Sequence, residues 1–132
     1  MTEPLYATTM LRERADDLAP DGSEVRLLVD LPRGSMAHFR LPAGATSRAV
    51  RHRTIEELWY IVEGEGEMWR AQGDEEDVVT LRPGVALSIP TGTSFQFRAG
   101  PSGPLSAVAV AMPPWPGGHE AATAEGPWTP SV

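Results

Sequence analysis

His52 and Glu57 stand five positions apart in the stretch RHRTIEELWYIVEGEGEMW, residues 51–69. Brought together, they offer two kinds of chemistry. An imidazole oriented by a carboxylate is a general base, sufficient for an isomerase- or epimerase-type proton transfer. The same two groups are also ligands for a divalent metal, although a catalytic zinc centre usually takes three protein ligands and an open position. The remaining histidines are His38, in the run SMAHFRL, and His119, in a segment rich in Pro and Gly. No Ser-His-Asp set can be assembled. There is no cysteine, which excludes a disulfide framework, a zinc knuckle and a thiol nucleophile. All eleven basic residues are arginine, so Schiff-base chemistry at a lysine is excluded as well.

The elements that must carry these residues read as strands. From Val25 onward, nine short runs follow one another, separated by turn signals such as PRG, PAGA, RPG, PTG and AGPSGP. The runs are VRLLVDL, SMAHFRL, RAVRHRT, ELWYIVE, GEMWRA, VVTL, VALSI, SFQFR and LSAVAVAM. Short strands at this spacing, with no long helical pattern between them, predict an all-β sandwich or barrel. LRERADDLA, before the first run, is long enough for a helical turn or two. Gly64 and Gly66 in EGEGE suit a tight turn between strands rather than a phosphate cradle, because EMWRA reads as a strand. GDEEDV lacks the alternating ligands of a calcium loop and reads as a solvated hairpin tip.

Side chains alternate across a strand, so the runs sort residues by face. Val50 and His52 share one face, Glu57, Trp59 and Ile61 another, and Phe95 and Phe97 a third. If His52 and Glu57 point inward, these seven residues line an aromatic pocket with one imidazole and one carboxylate, suited to a small organic ligand with one polar end. The bland alternative is that the aromatics fill the interior and His52 is a core histidine hydrogen-bonded to Glu57. A register shifted by one residue would instead turn Arg51 and Arg53 inward and make the pocket a site for carboxylate or phosphate. Leu58, Tyr60 and Val62 form an apolar row on the opposite face, to be covered by a second copy of the chain or by the tail.

The formal net charge of −7 and the lack of a basic stripe argue against a nucleic-acid partner. No segment is apolar and long enough to serve as an export signal or to span a bilayer, so the expectation is a cytoplasmic protein with no membrane partner. The 132 residues suit one domain. Its parts are an N-terminal extension over 1–24, a barrel over 25–112 and a Pro/Gly-rich tail over 113–132. The tail is expected to be irregular with a mobile end, and Trp115, set between prolines, is expected to anchor it to the barrel.

Two segments resemble the conserved motifs of the cupin superfamily. Glu57, six intervening residues and Gly64 match the second half of the first motif; His52 takes the place of its second histidine, and Gly44 stands where its opening glycine falls. Gly84, Pro90 and Gly92 match the start of the second motif, and the short stretch between the motifs is similar to that of small bacterial cupins. The resemblance covers roughly residues 25–112. It implies an antiparallel β jelly roll enclosing a pocket, and commonly a homodimer. In metal-binding members, three histidines and a glutamate hold one divalent ion. Here the first histidine position is Val50 and that of the second motif is Phe95, leaving His52 and Glu57 as the metal-ligand candidates. The resemblance therefore implies a degenerate site that holds zinc, iron, manganese or nickel weakly, and no firmly bound cofactor. The leading functional expectation is small-molecule binding. The alternatives are a cupin enzyme, either a metal-dependent dioxygenase or isomerase type or a metal-free one with His52 as base, and a partner-binding module with a filled barrel.

Overall fold

The computed structural model describes residues 5–132. Eleven strands and one 3-10 turn account for its regular structure: β1 Asp17–Leu18, β2 Glu24–Leu31, β3 Gly34–Leu41, β4 Val50–His52, β5 Glu56–Glu63, β6 Gly66–Gln72, β7 Glu75–Leu81, β8 Ala86–Ile89, β9 Ser94–Ala99, β10 Leu105–Met112, the turn Gly118–Glu120, and β11 Ala121–Thr123. The nine runs read from the sequence are β2 to β10. They form two antiparallel sheets, ordered β1-β2-β3-β10-β5-β8 and β11-β4-β9-β6-β7, which pack as a jelly roll. Among the described residues no helix is long and apolar enough to cross a membrane.

The alternating pattern fixes what each sheet turns inward. Along β5, Glu57, Trp59 and Ile61 are buried while Leu58, Tyr60 and Val62 are exposed. Register carries this face across the sheet. Ser35, Ala111, Glu57 and Ile89 form one transverse row, and Ala37, Ala109, Trp59 and Leu87 the next. Phe39, Ala107 and Ile61 form a third. The opposite sheet contributes Val50, Met68, Phe95 and Phe97, all buried. The turn after β5 needs its glycines. Gly64 has φ +81°, and a Cβ there would lie 2.0 Å from the Pro104 carbonyl oxygen; one on Gly66 would lie 2.0 Å from that of Arg98.

Both termini depart from the sequence expectation. LRERADDLA forms no helix; its end supplies β1, paired with β2, because Asp16 accepts from Arg12 and from the Leu27 N–H and so lays the segment along the sheet edge. The tail is not irregular throughout. Ala121–Thr123 pairs with β4 as an added strand. Beyond it, Trp128 exchanges hydrogen bonds with the buried Gln96 side chain and lies under the Arg98 guanidinium, 4.0 Å from the ring centroid. Ser131 bonds Thr46, and Arg48 donates to the Val132 carbonyl, so the last residues are held rather than mobile.

Candidate functional site

The site sits at one end of the barrel, where β4 passes to β5. Three residues, Arg53–Ile55, carry the chain from one sheet to the other. The buried carboxylate of Glu120 holds that crossing. It accepts from the backbone N–H groups of Thr54 and Ile55 and from the Thr54 hydroxyl. Arg53 adds a backbone bond to the Glu120 carbonyl and a side-chain bond to that of His119. With the crossing fixed, His52 and Glu57 both point into the barrel, each only 4% exposed. Arg51 and Arg53 lie outside, which removes the shifted register and its anionic ligand.

His52 Nδ1 lies 3.6 Å from Glu57 Oε1, beyond normal hydrogen-bond length, and has no other partner among the described residues. Glu57 Oε1 accepts from the Trp59 indole N–H at 3.1 Å. Desolvation dominates both groups. Burial lowers the imidazole from 6.5 to about 4, against a small upward pull from Glu120. Burial raises the Glu57 carboxyl from 4.5 to about 7, opposed by the Trp59 bond and helped by Asp21. Burial thus favours the neutral form of each group over a salt bridge between them; taking two charges this far from water costs more than their attraction returns.

A cavity of about 460 Å³ opens beside the pair. Of the seven residues expected to line a pocket, His52 and Glu57 line it. Val50, Trp59, Ile61, Phe95 and Phe97 do not; they pack the barrel interior behind it. Trp59 stacks on Phe39 with centroids 5.3 Å apart and meets Phe97 edge-on at 5.1 Å, leaving no room there for a ligand. The room comes instead from small side chains on the inner face of β3 and β10: Ser35, Ala37, Ala109 and Ala111. The alternation AVAVA in β10 is the sequence signal for this gap, alanines inward and valines outward.

The cavity's other walls come from parts of the chain treated as accessory in the sequence reading. Trp115 donates its backbone N–H to Ser35 of one sheet and sets its ring edge-on to His52 of the other, 5.6 Å between centroids. Asp16, Asp17 and Leu18 form the rim opposite. No periodicity marks either segment as part of a site.

The donor set does not fit a metal. Val50 and Phe95 face each other across β4 and β9, and Phe95 packs edge-on against His52 at 5.2 Å. Neither side chain carries a lone pair, and the Phe95 ring fills the space of a ligand. His38 cannot substitute, because its strand turns it to the outer face of the sheet, where it pairs across from Arg26. His119 is exposed on the 3-10 turn. Among the described residues no group of three potential ligands forms.

Residues 37–111 match the family described as "Cupin domain". No curated protein matches the sequence. Among solved structures, the capsular polysaccharide assembling protein CapF from Staphylococcus aureus superposes with a TM-score of 0.70 at 17% identity, over 88% of this chain and 34% of CapF. This chain thus spans about one third of the length of CapF. KdgF from Halomonas sp. gives 0.66 at 17% identity, over 81% of this chain and 94% of KdgF. A conserved protein with a double-stranded beta-helix domain from Klebsiella pneumoniae gives 0.64 at 18% identity, over 88% and 91%. Identities this low speak for the fold alone. The family match, however, spans more than half of the sequence and includes the strands that carry His52 and Glu57, and on that ground the chain belongs to the cupin family.

Proposed function

We propose that this protein binds a small organic molecule in the cavity beside His52 and Glu57, without a metal. The observation that carries the reading is the cavity itself. It is about 460 Å³, within the range of small-molecule sites, walled mainly by apolar side chains and floored by the His52 imidazole and the Glu57 carboxyl group. Residues 25–112 supply the barrel, and the N-terminal extension and the tail complete the rim. His52 and Glu57 are the ligand-contacting polar residues, and the protein works in the cytoplasm as a carrier or sensing module.

The experiment is chemical-shift mapping with neutral aromatic fragments on ¹⁵N-labelled protein. Shifts should cluster at Ala109, Ala111, Trp115 and His52, and Ala109→Trp should abolish them by filling the gap. Shifts confined to the exposed face of β5, or unchanged by Ala109→Trp, would remove the basis for the reading.

A second reading rests on the 3.6 Å approach of His52 to Glu57 at the cavity floor. A neutral imidazole and a protonated carboxyl group in one dry site can take a proton from a bound substrate and return it elsewhere, an isomerase-type reaction. Turnover lost in His52→Gln while ligand affinity is retained would favour this reading over simple binding.

A further inference from the structure

The charges around the cavity are of one sign. Its titratable lining groups are Asp16, Asp17, Glu57 and His52, and among the described residues no arginine lines it. Arg12 adjoins the rim through Asp16, and its guanidinium is committed to Asp16 and to the Leu27 carbonyl. Asp17, on the rim, has no ion pair among the described residues, where its Oδ1 takes the N–H of its neighbour Leu18. An anion entering this space would meet carboxylates and, among the described residues, no lining cation to hold it.

The floor is short of donors in the same way. Glu57 Oε1 is used by Trp59, while Oε2 receives no hydrogen bond from the described residues. Beside it the buried His52 ring has an Nδ1 with no partner among the described residues, 3.6 Å from Glu57 Oε1. An open carboxylate oxygen and an unpaired ring nitrogen thus stand at the end of an apolar space. An ammonium group supplies donors and no acceptor, and so complements them. Trp115 and Phe39, on the walls, offer ring surface to the rest of such a molecule and to its charge.

We propose that the ligand is an organic amine: an apolar, ring-bearing body carrying one ammonium group, which seats on Glu57 and His52. The proposal rests on the cavity being the ligand site and adds the ligand's charge.

Three probes of nearly equal shape separate the two claims: tryptamine, its neutral analogue tryptophol, and indole-3-propionate. Affinities are measured by calorimetry on the full chain at about pH 7.5 and about 0.15 M salt, where surface attraction is screened beyond about 8 Å. Tryptamine should bind at least about tenfold tighter than tryptophol, a difference of about 1.4 kcal/mol. Indole-3-propionate should bind more weakly than either. Glu57→Gln, which keeps the acceptor for Trp59, should remove the tenfold advantage of tryptamine over tryptophol when both are measured on that variant. Ala109→Trp should abolish binding of both. Tryptamine binding that survives Ala109→Trp would be attraction to the acidic surface and would overturn the proposal. So would indole-3-propionate binding as tightly as tryptamine, or tryptamine affinity unmoved by Glu57→Gln. If all three bind alike and Ala109→Trp removes them, the cavity stands as a site and the charge assignment falls; if none binds, both fall.

Discussion

Glu57→Gln and His52→Gln should tilt the pH dependence of stability in opposite directions, and the tilt reports whether the two side chains form a neutral pair or an ion pair. Glu57 titrates near 7 in the folded protein against 4.5 for a free carboxyl group. Its folded value is raised, so its contribution is fully present below pH 4.5 and is lost as the pH rises through 7. His52 titrates near 4 against 6.5. Its folded value is lowered, so its contribution is present above pH 6.5 and is lost as the pH falls through 4. Between these limits the unfolded chain has one more proton on His52 and one fewer on Glu57, and in the wild type the two slopes cancel. Each shift is about two and a half units, which at about 1.4 kcal/mol per unit is an upper bound of about 3.5 kcal/mol. Neither group is a cause of the other's shift, so the single variants should unmask the two terms separately. The stability difference, Glu57→Gln minus wild type, should therefore rise by up to about 3.5 kcal/mol from pH 4.5 to 7. The difference for His52→Gln should fall by a similar amount from pH 4 to 6.5. The assay is urea unfolding followed by tryptophan fluorescence, with each variant compared with wild type at every pH so that other carboxylates drop out. A charged His52–Glu57 salt bridge would reverse both signs, and that reversal, or two flat differences, would refute the desolvation account.

Three further outcomes follow from the same geometry. Metal analysis of wild-type protein purified without chelator should find well under one divalent ion per chain, whereas Val50→His combined with Phe95→His, which faces two new imidazoles across β4 and β9 toward His52 and Glu57, should hold one ion tightly; one tightly held ion in wild type, lost in His52→Ala, would contradict the site as described. Glu120→Gln should cost about 2 kcal/mol or more in denaturant unfolding, because charge-assisted bonds to Thr54 and Ile55 are weakened together, and a neutral effect would show that the crossing holds itself. The tail lies away from Leu58, Tyr60 and Val62, which are 52%, 51% and 44% exposed, so we expect this row, with Val108 and Val110 beside it, to be covered by a second copy of the chain; light scattering should give a dimer that Tyr60→Arg converts to monomer, and a monomeric wild type would rule this out.

Much of the framework was legible because strands announce themselves locally. Alternation over eight residues is enough to say that Glu57, Trp59 and Ile61 share a buried face with Leu58, Tyr60 and Val62 opposite, and a Gly-rich turn is enough to end the strand. The same logic placed Val50 and His52 on one face and Arg51 and Arg53 on the other, and the structure decided which face is inside. It also exposed the loss of metal ligands, since Val50 and Phe95 cannot donate whatever the fold does with them.

What alternation could not supply was the depth of the barrel. Knowing that seven residues face inward does not say which touch a ligand and which touch one another. That depends on the sum of side-chain volumes across strands distant in sequence. Phe39, Trp59, Phe95 and Phe97 pack against one another, while Ser35, Ala37, Ala109 and Ala111 leave open space beside them. Nor does any local rule assign the walls contributed by Asp17 and Trp115, or the clamp from Glu120 onto Thr54, sixty-six positions away. The protonation of the pair is beyond a local rule for the same reason. Sequence sets an imidazole near a carboxylate, but whether they ionise is decided by how far both are withdrawn from water. The chain by itself determined the strands, their faces and the missing ligands, because those are properties of neighbouring residues. Tertiary structure decided the cavity, its charge and the state of its two polar groups, because volume and desolvation are set by residues that only folding brings together.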